Sequence, residues 1–172
     1  MSLTAASFDL LPLPSGGSLL LSAHPAAWPG LTPDQVLAVY LSHGVCTVVC
    51  LLTPAELSAL GLDDWSELCQ AQGLAFWHAP IEDQQAPDAD FELWWRGHHR
   101  SLLGSLAQGH AVALHCWGGL GRAGTVAARL LMGHEHTDAE NAITRVRQIR
   151  PGSVETFAQI NYLLDLPPEP AP

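Results

Sequence analysis

Lysine is missing from this chain altogether. The seven basic residues are all Arg, set against 17 Asp and Glu, for a formal net charge of −10 in 172 residues. A general nucleic-acid binder needs a basic surface to displace counterions from phosphates, so that class is excluded at the outset. Docking on an anionic membrane through a polybasic patch falls with it. Long apolar runs are missing too: no stretch approaches the ~20 apolar residues of a membrane span. The opening MSLTAASFDLLPLP has no basic segment ahead of its apolar residues, as a secretion signal would. Cysteine is sparse, and Cys46, Cys50, Cys69 and Cys116 neither make a secreted disulfide framework nor form a CxxC pair for zinc. They read as thiols, in a cytoplasmic protein without nucleic acid or membrane as partner.

What is present is a 48% hydrophobic chain of a size that buries one sizeable core. A single domain is expected over residues 1–166, followed by a Pro-rich disordered tail, PPEPAP, at 167–172. Four short apolar runs bounded by Gly or Pro suit strands buried on both faces: Ser18 to Ala23, Val45 to Leu52, Leu74 to Pro80 and Ala111 to Cys116. Helical patterns alternate with them. Thr32 with Gln35, Thr53 with Glu56 and Thr137 with Glu140 each read as a capping box, twice with Pro at the first helical position, and Gly44 closes the first helix. Further helices are expected over Asp64 to Ala71, Ala89 to Ala107, Ala123 to Met132, Asp138 to Ile149 and Val154 to Leu164. The alternation predicts an α/β fold: a central, mostly parallel sheet of about four or five strands flanked by helices.

In such a sheet ligands bind beyond the carboxyl ends of the strands. The stretch HCWGGLGRAG, from His115 to Gly124, is a loop of that kind. It contains G-x-G-x-x-G, but a dinucleotide site needs a second parallel strand with an acidic residue after the helix, and helix follows helix here. The alternative is a Cys at a strand end with an Arg six residues later, C-x5-R. Trp117, Gly118, Gly119, Leu120 and Gly121 can wrap into a bowl whose backbone N–H groups bind a phosphate, while Arg122 holds two of its oxygens through its planar fork. The same N–H groups, the helix end and Arg122 would stabilise an anionic sulfur at Cys116, making it a nucleophile.

On these residues the chain resembles the cysteine-based protein phosphatases, with their H-C-x5-R signature, and within them the dual-specificity, kinase-associated phosphatases, whose loop also has the form HC-aromatic-GGLGR. The similarity extends to VVCLLTPAEL, HAPIEDQQAPD and AQINYLL, from about Val45 to Leu164. The resemblance implies a dual-specificity-phosphatase fold, no cofactor and no metal. It assigns Cys116 as nucleophile, Arg122 as phosphate clamp and Asp83, after Pro80-Ile81, as the acid that protonates the leaving oxygen, with neighbouring Glu82 as a competitor. His115 is expected to orient the loop and tune the thiol, and Gln159 to orient the hydrolytic water. The substrate implied is a phosphorylated protein, with a phosphoinositide or other small phosphoester as the alternative, since WGGLG carries no Lys.

One departure concerns Ala123, where the family has a Ser or Thr whose hydroxyl assists the leaving thiolate; Thr125 is the candidate substitute. That departure keeps open a phospho-residue-binding module with weak or no turnover. Cys50, at the same sheet edge if its strand neighbours that of Cys116, is a possible redox partner for it, against the reading of a buried thiol. The pairs His98-His99 and His134/His136 lack further ligands at metal spacing and read as ordinary histidines, and of Trp94 and Trp95 one is expected in the core and one at its edge.

Overall fold

The computed structural model describes residues 7–167, so the expected disordered tail falls, from residue 168 onward, outside the described residues. The elements in chain order are β1 (Phe8–Pro12), β2 (Ser18–Ser22), α1 (Pro33–Ser42), β3 (Val45–Cys50), α2 (Pro54–Ala59), α3 (Trp65–Ala71), β4 (Ala75–His78), α4 (Ala89–Ala107), β5 (Ala111–His115), α5 (Gly121–Glu135), α6 (Ala139–Ile149) and α7 (Phe157–Asp165). One five-stranded sheet runs in the order β1-β2-β5-β3-β4. It is parallel except at the antiparallel pair β1–β2 on one edge. The expected α/β architecture is therefore present, with β1 as the added strand: FDLLP lies at an edge, where Pro12 can end a strand without breaking a ladder on both sides.

Alternation along the buried strands divides the core into two layers. Leu19, Leu21, Val49, Val112 and Leu114 pack with α4, α5, α6 and α7. Leu20, Val48, Cys50, Ala111 and Ala113 face α1 and α3. Trp95 is buried in the first layer and Trp94 packs at its margin. Among the described residues no helix is long and apolar enough to cross a membrane.

The helix starts follow the caps with corrections at α5, α6 and α7. Thr32 with Gln35 and Thr53 with Glu56 form complete capping boxes. At α6 the cap is Asp138, not Thr137: its carboxylate accepts from the Asn141 N–H at 2.8 Å, a charged acceptor that starts the helix one residue later. The last helix likewise begins at Phe157 rather than Val154, because Val154 adopts φ +58° and Thr156 forms an unforeseen capping box with Gln159. Helix α5 starts at Gly121, two residues ahead of expectation, which puts Arg122 in its first turn. Because β2, β5, β3 and β4 run parallel, their carboxyl ends and the loops that follow them share one edge of the sheet.

Candidate active site

Strand β5 delivers His115 and Cys116 to that edge, and the loop Trp117–Leu120 turns the chain into α5. The Cys116 side chain is 2% exposed, and the Gly119 N–H donates to its Sγ at 3.2 Å. The turn that allows this depends on Gly119, which has φ +72°. A Cβ there would lie 2.3 Å from the carbonyl carbon of Ser22 and 2.6 Å from the Ala23 nitrogen, at the end of β2. A Cβ on Gly121 would meet Glu155 Oε2 at 2.4 Å and Gln159 Nε2 at 3.0 Å, so the first turn of α7 and the residues just before it press on the far side of the loop. Trp117 is 45% exposed, with its ring edge-on to His24 at 5.3 Å.

Arg122 is buried at 2% exposure and its guanidinium is heavily engaged. Nη1 donates to Glu56 Oε2 at 2.8 Å and to the Ile81 carbonyl at 2.9 Å, while Nη2 donates to Glu56 Oε1 at 2.9 Å and lies 3.1 Å from Asp83 Oδ1. Burial works to raise the Glu56 carboxyl, but the bonds from Arg122 and Thr53 outweigh it and hold the group below the ordinary carboxylate range. Burial likewise works to lower Arg122, and Glu56, Cys116 and Asp83 together drive it up. The acid loop after β4 is registered on β3 by N–H groups of Ala79 and Ile81 donating to Cys50 and Leu51. Asp83 is the carboxylate of that loop that meets Arg122; among the described residues Glu82 joins no ion pair.

His115 is wholly buried, and burial, followed by the nearby His24, pushes its pKa down to about 3. The Trp65 indole N–H donates to its Nε2 at 2.9 Å. An indole is a donor only, so Nε2 supplies the lone pair and the ring proton sits on Nδ1. The imidazole is thereby held neutral beside Cys116.

Gln159 is also buried; its Oε1 accepts from the Glu155 and Thr156 N–H groups, and its Nε2 donates to the Gln85 carbonyl at 3.3 Å. It therefore joins the acid loop to the Gly121 end of the bowl. Thr125 differs from expectation. Its hydroxyl donates to the Gly121 carbonyl at 2.7 Å, one turn back in the same helix, so that proton is committed within α5 and does not replace the hydroxyl missing at the buried Ala123. Cys50 pairs in register with His115 across β3 and β5. It is a buried free thiol raised by burial to about 12, a poorly ionised group that favours the plain reading over the redox one. His98 and His99 bond through Nδ1 to backbone carbonyls in their own helix.

Three residues of the site escaped sequence reasoning. Glu56 was visible only as the third residue of a cap, Trp65 only as one position within the expected helix Asp64 to Ala71, and Arg150, whose side chain reaches the loop carbonyls, was not singled out at all. None lies within 20 positions of the residue of the His115–Arg122 stretch that it touches.

A family model described as PTP-SAK, Swiss Army Knife protein, DSP-PTPase phosphatase domain, matches residues 32–162. The chain is similar to cyclin-dependent kinase inhibitor 3 of Homo sapiens, with 33% identity over 126 residues, and of Mus musculus, with 31% over 125; in each case 71% of this chain and 57% of the relative are covered. It thus spans little more than half the length of these curated relatives. The crystal structure of kinase-associated phosphatase with its catalytic-site cysteine changed to serine superposes with a TM-score of 0.77 and 27% identity, covering 92% of both chains. With the match running from the first capping box to the last helix and taking in Cys116, Arg122 and Asp83, the chain belongs to the DSP-PTPase phosphatase domain family.

Proposed function

We propose that this chain is a phosphomonoester hydrolase that works through a phosphocysteine and acts on phosphorylated side chains of proteins. The observation that carries this reading is the convergence of Cys116, Arg122 and Asp83 on one loop edge, with a backbone N–H on the sulfur and the guanidinium against the carboxylate. In the first step Cys116 Sγ attacks phosphorus, the P–O bond to the leaving group breaks, and Asp83 gives its proton to the departing oxygen. In the second, water attacks phosphorus, the P–S bond breaks, and Asp83 takes the proton back.

The donor arithmetic supports the order of events. Glu56 and Ile81 take three of Arg122's five N–H bonds, leaving Nε–H and the Nη2–H that faces Asp83. A phosphoryl group needs that Nη2–H, and by claiming it frees Asp83 for the leaving oxygen. The arrangement of the cations supports a singly phosphorylated protein side chain as the substrate class. Arg129, Arg145 and Arg147 are engaged with carboxylates or carbonyls, and Arg150, which does reach the loop, spends its donors on the Gly118 and Gly119 carbonyls and on Asp9, so none of these four offers a free cation to a multiply phosphorylated headgroup. The relatives' link to kinases makes a phosphorylated kinase peptide the first protein substrate to try.

Ala123 favours a second reading, in which the loop captures a phosphorylated partner with little turnover. The test is hydrolysis of p-nitrophenyl phosphate with chelator present, from about pH 5 to about pH 8, by wild type, Cys116→Ser and Asp83→Asn. The expected result is a burst of nitrophenol followed by slower turnover, no activity in the Ser variant and a lost alkaline limb in the Asn variant. Activity that survives in Cys116→Ser overturns the mechanism; phosphate binding without turnover in the wild type moves the reading to the binding module.

A further inference from the structure

The back of the loop is as organised as its front. Arg150, just past the end of α6 and 6% exposed, donates through Nε to the Gly119 carbonyl at 2.8 Å and through Nη2 to the Gly118 carbonyl at 3.1 Å. Its remaining branch, Nη1, donates to Asp9 Oδ2 on β1 at 2.6 Å. The next carbonyl, that of Leu120, accepts from the Val154 N–H at 3.2 Å and from Gly124 at 3.0 Å. Val154 is itself held in its left-handed conformation by Arg147, which donates to the carbonyls of Ser153 and Val154 at 2.9 Å each.

A trans peptide points its C=O and its following N–H in opposite directions. Three consecutive carbonyls fastened at the back therefore turn three consecutive N–H groups, those of Gly119, Leu120 and Gly121, toward the front. The first of them is seen doing so, on Cys116 Sγ. The other two have no partner among the described hydrogen bonds. An all-glycine flank such as Gly118-Gly119 has little torsional preference of its own, so some other group must hold these peptide planes.

We infer that Arg150, anchored by Asp9 on the edge strand, is a positioning residue: it aims the loop's N–H groups at the phosphate and so assigns the N-terminal strand a part in ligand binding. The inference rests on the proposed phosphate-binding role of the loop. A planar five-donor fork is required, because one group must reach two carbonyls and a carboxylate at once; a Lys ammonium offers charge without that geometry.

The test uses the full chain with Arg150→Lys and, as a gentler change that leaves the loop contacts intact, Asp9→Asn. The measurements are inhibition by inorganic phosphate, KM and kcat for p-nitrophenyl phosphate, and the melting temperature. The expected result for Arg150→Lys is phosphate binding weakened about 10- to 100-fold, the effect of misaiming a charge-assisted hydrogen bond or two, with KM rising in step. Asp9→Asn loses less, in the same direction, and carries the test alone should the Lys variant not fold. Variants that melt lower yet bind phosphate as wild type does, within about twofold, overturn the inference and leave Arg150 a structural residue. A wild type that neither binds phosphate nor turns over substrate overturns the functional reading beneath it.

Discussion

The carboxylate of Glu56 accepts from the Thr53 N–H at the start of α2 and from both Nη atoms of Arg122. A carboxylate has about four lone-pair positions, so a helix cap and a guanidinium clamp fit on one side chain. Cap patterns are local and legible in sequence, whereas the second role depends on a contact spanning 66 positions. Replacing Glu56 by Gln keeps an oxygen for the cap but removes the charge and half the fork. The expected outcome is a roughly 10-fold rise in KM for p-nitrophenyl phosphate with a smaller change in kcat, since the loss is of a charge-assisted bond that orients Arg122 rather than of a reacting group. Steady-state kinetics of the variant check this, and an unchanged KM counts against the clamp. Cys116 and Arg122 stood out because their C-x5-R motif is contiguous, and Asp83 was reached only through the family resemblance, by its place after a Pro-Ile pair; Trp65 and Arg150 carry no such signature.

Among the elements, the junction of β5 and α5 is the most constrained. Gly118 and Gly119 look alike in sequence, yet only Gly119 has a positive φ and backs directly onto the end of β2, while a Cβ on Gly118 meets nothing within 4 Å. Gly119→Ala is therefore expected to cost at least about 1–3 kcal/mol in backbone strain alone, with the overlap against Ser22 backbone in addition. Gly118→Ala serves as its near-neutral counterpart. Urea unfolding of the two variants makes the comparison, and equal midpoints remove the argument. The strand and helix pattern itself was readable because buried parallel strands appear as short apolar runs and caps announce helix starts. The misplaced starts at α6 and α7 have local causes that a sequence window does not resolve: Asp138 caps in place of Thr137, and Thr156 caps once Val154 turns left-handed.

For the whole molecule, the buried imidazole of His115 ties stability to pH. Its folded-state pKa of about 3 lies below the ordinary value of 6.5, so between these limits the unfolded chain binds a proton that the native chain does not. Stability then rises with pH and is lost on acidification from 6.5 downward. His24, also lowered by burial, acts with the same sign. Going from about pH 7.5 to about pH 5.5 is expected to remove roughly 1.4 kcal/mol through His115 alone, in a window above the titration of ordinary carboxylates. Urea unfolding at the two pH values measures it; a stability that stays level or grows on acidification contradicts a neutral, Trp65-bound His115.

What the sequence by itself determined is whatever a short window encodes: strand and helix periods, caps, the C-x5-R loop, and an acidic, lysine-free composition that leaves Arg122 the only charged side chain in its loop. Tertiary structure alone decided which distant groups complete that loop. The strand order β1-β2-β5-β3-β4 brings Glu56, Trp65, Asp9 and Arg150 around residues 115–122. The physical reason is that a hydrogen bond across a fold depends on where two elements end in space, and side chains of one type, such as the seven arginines, differ only by that position.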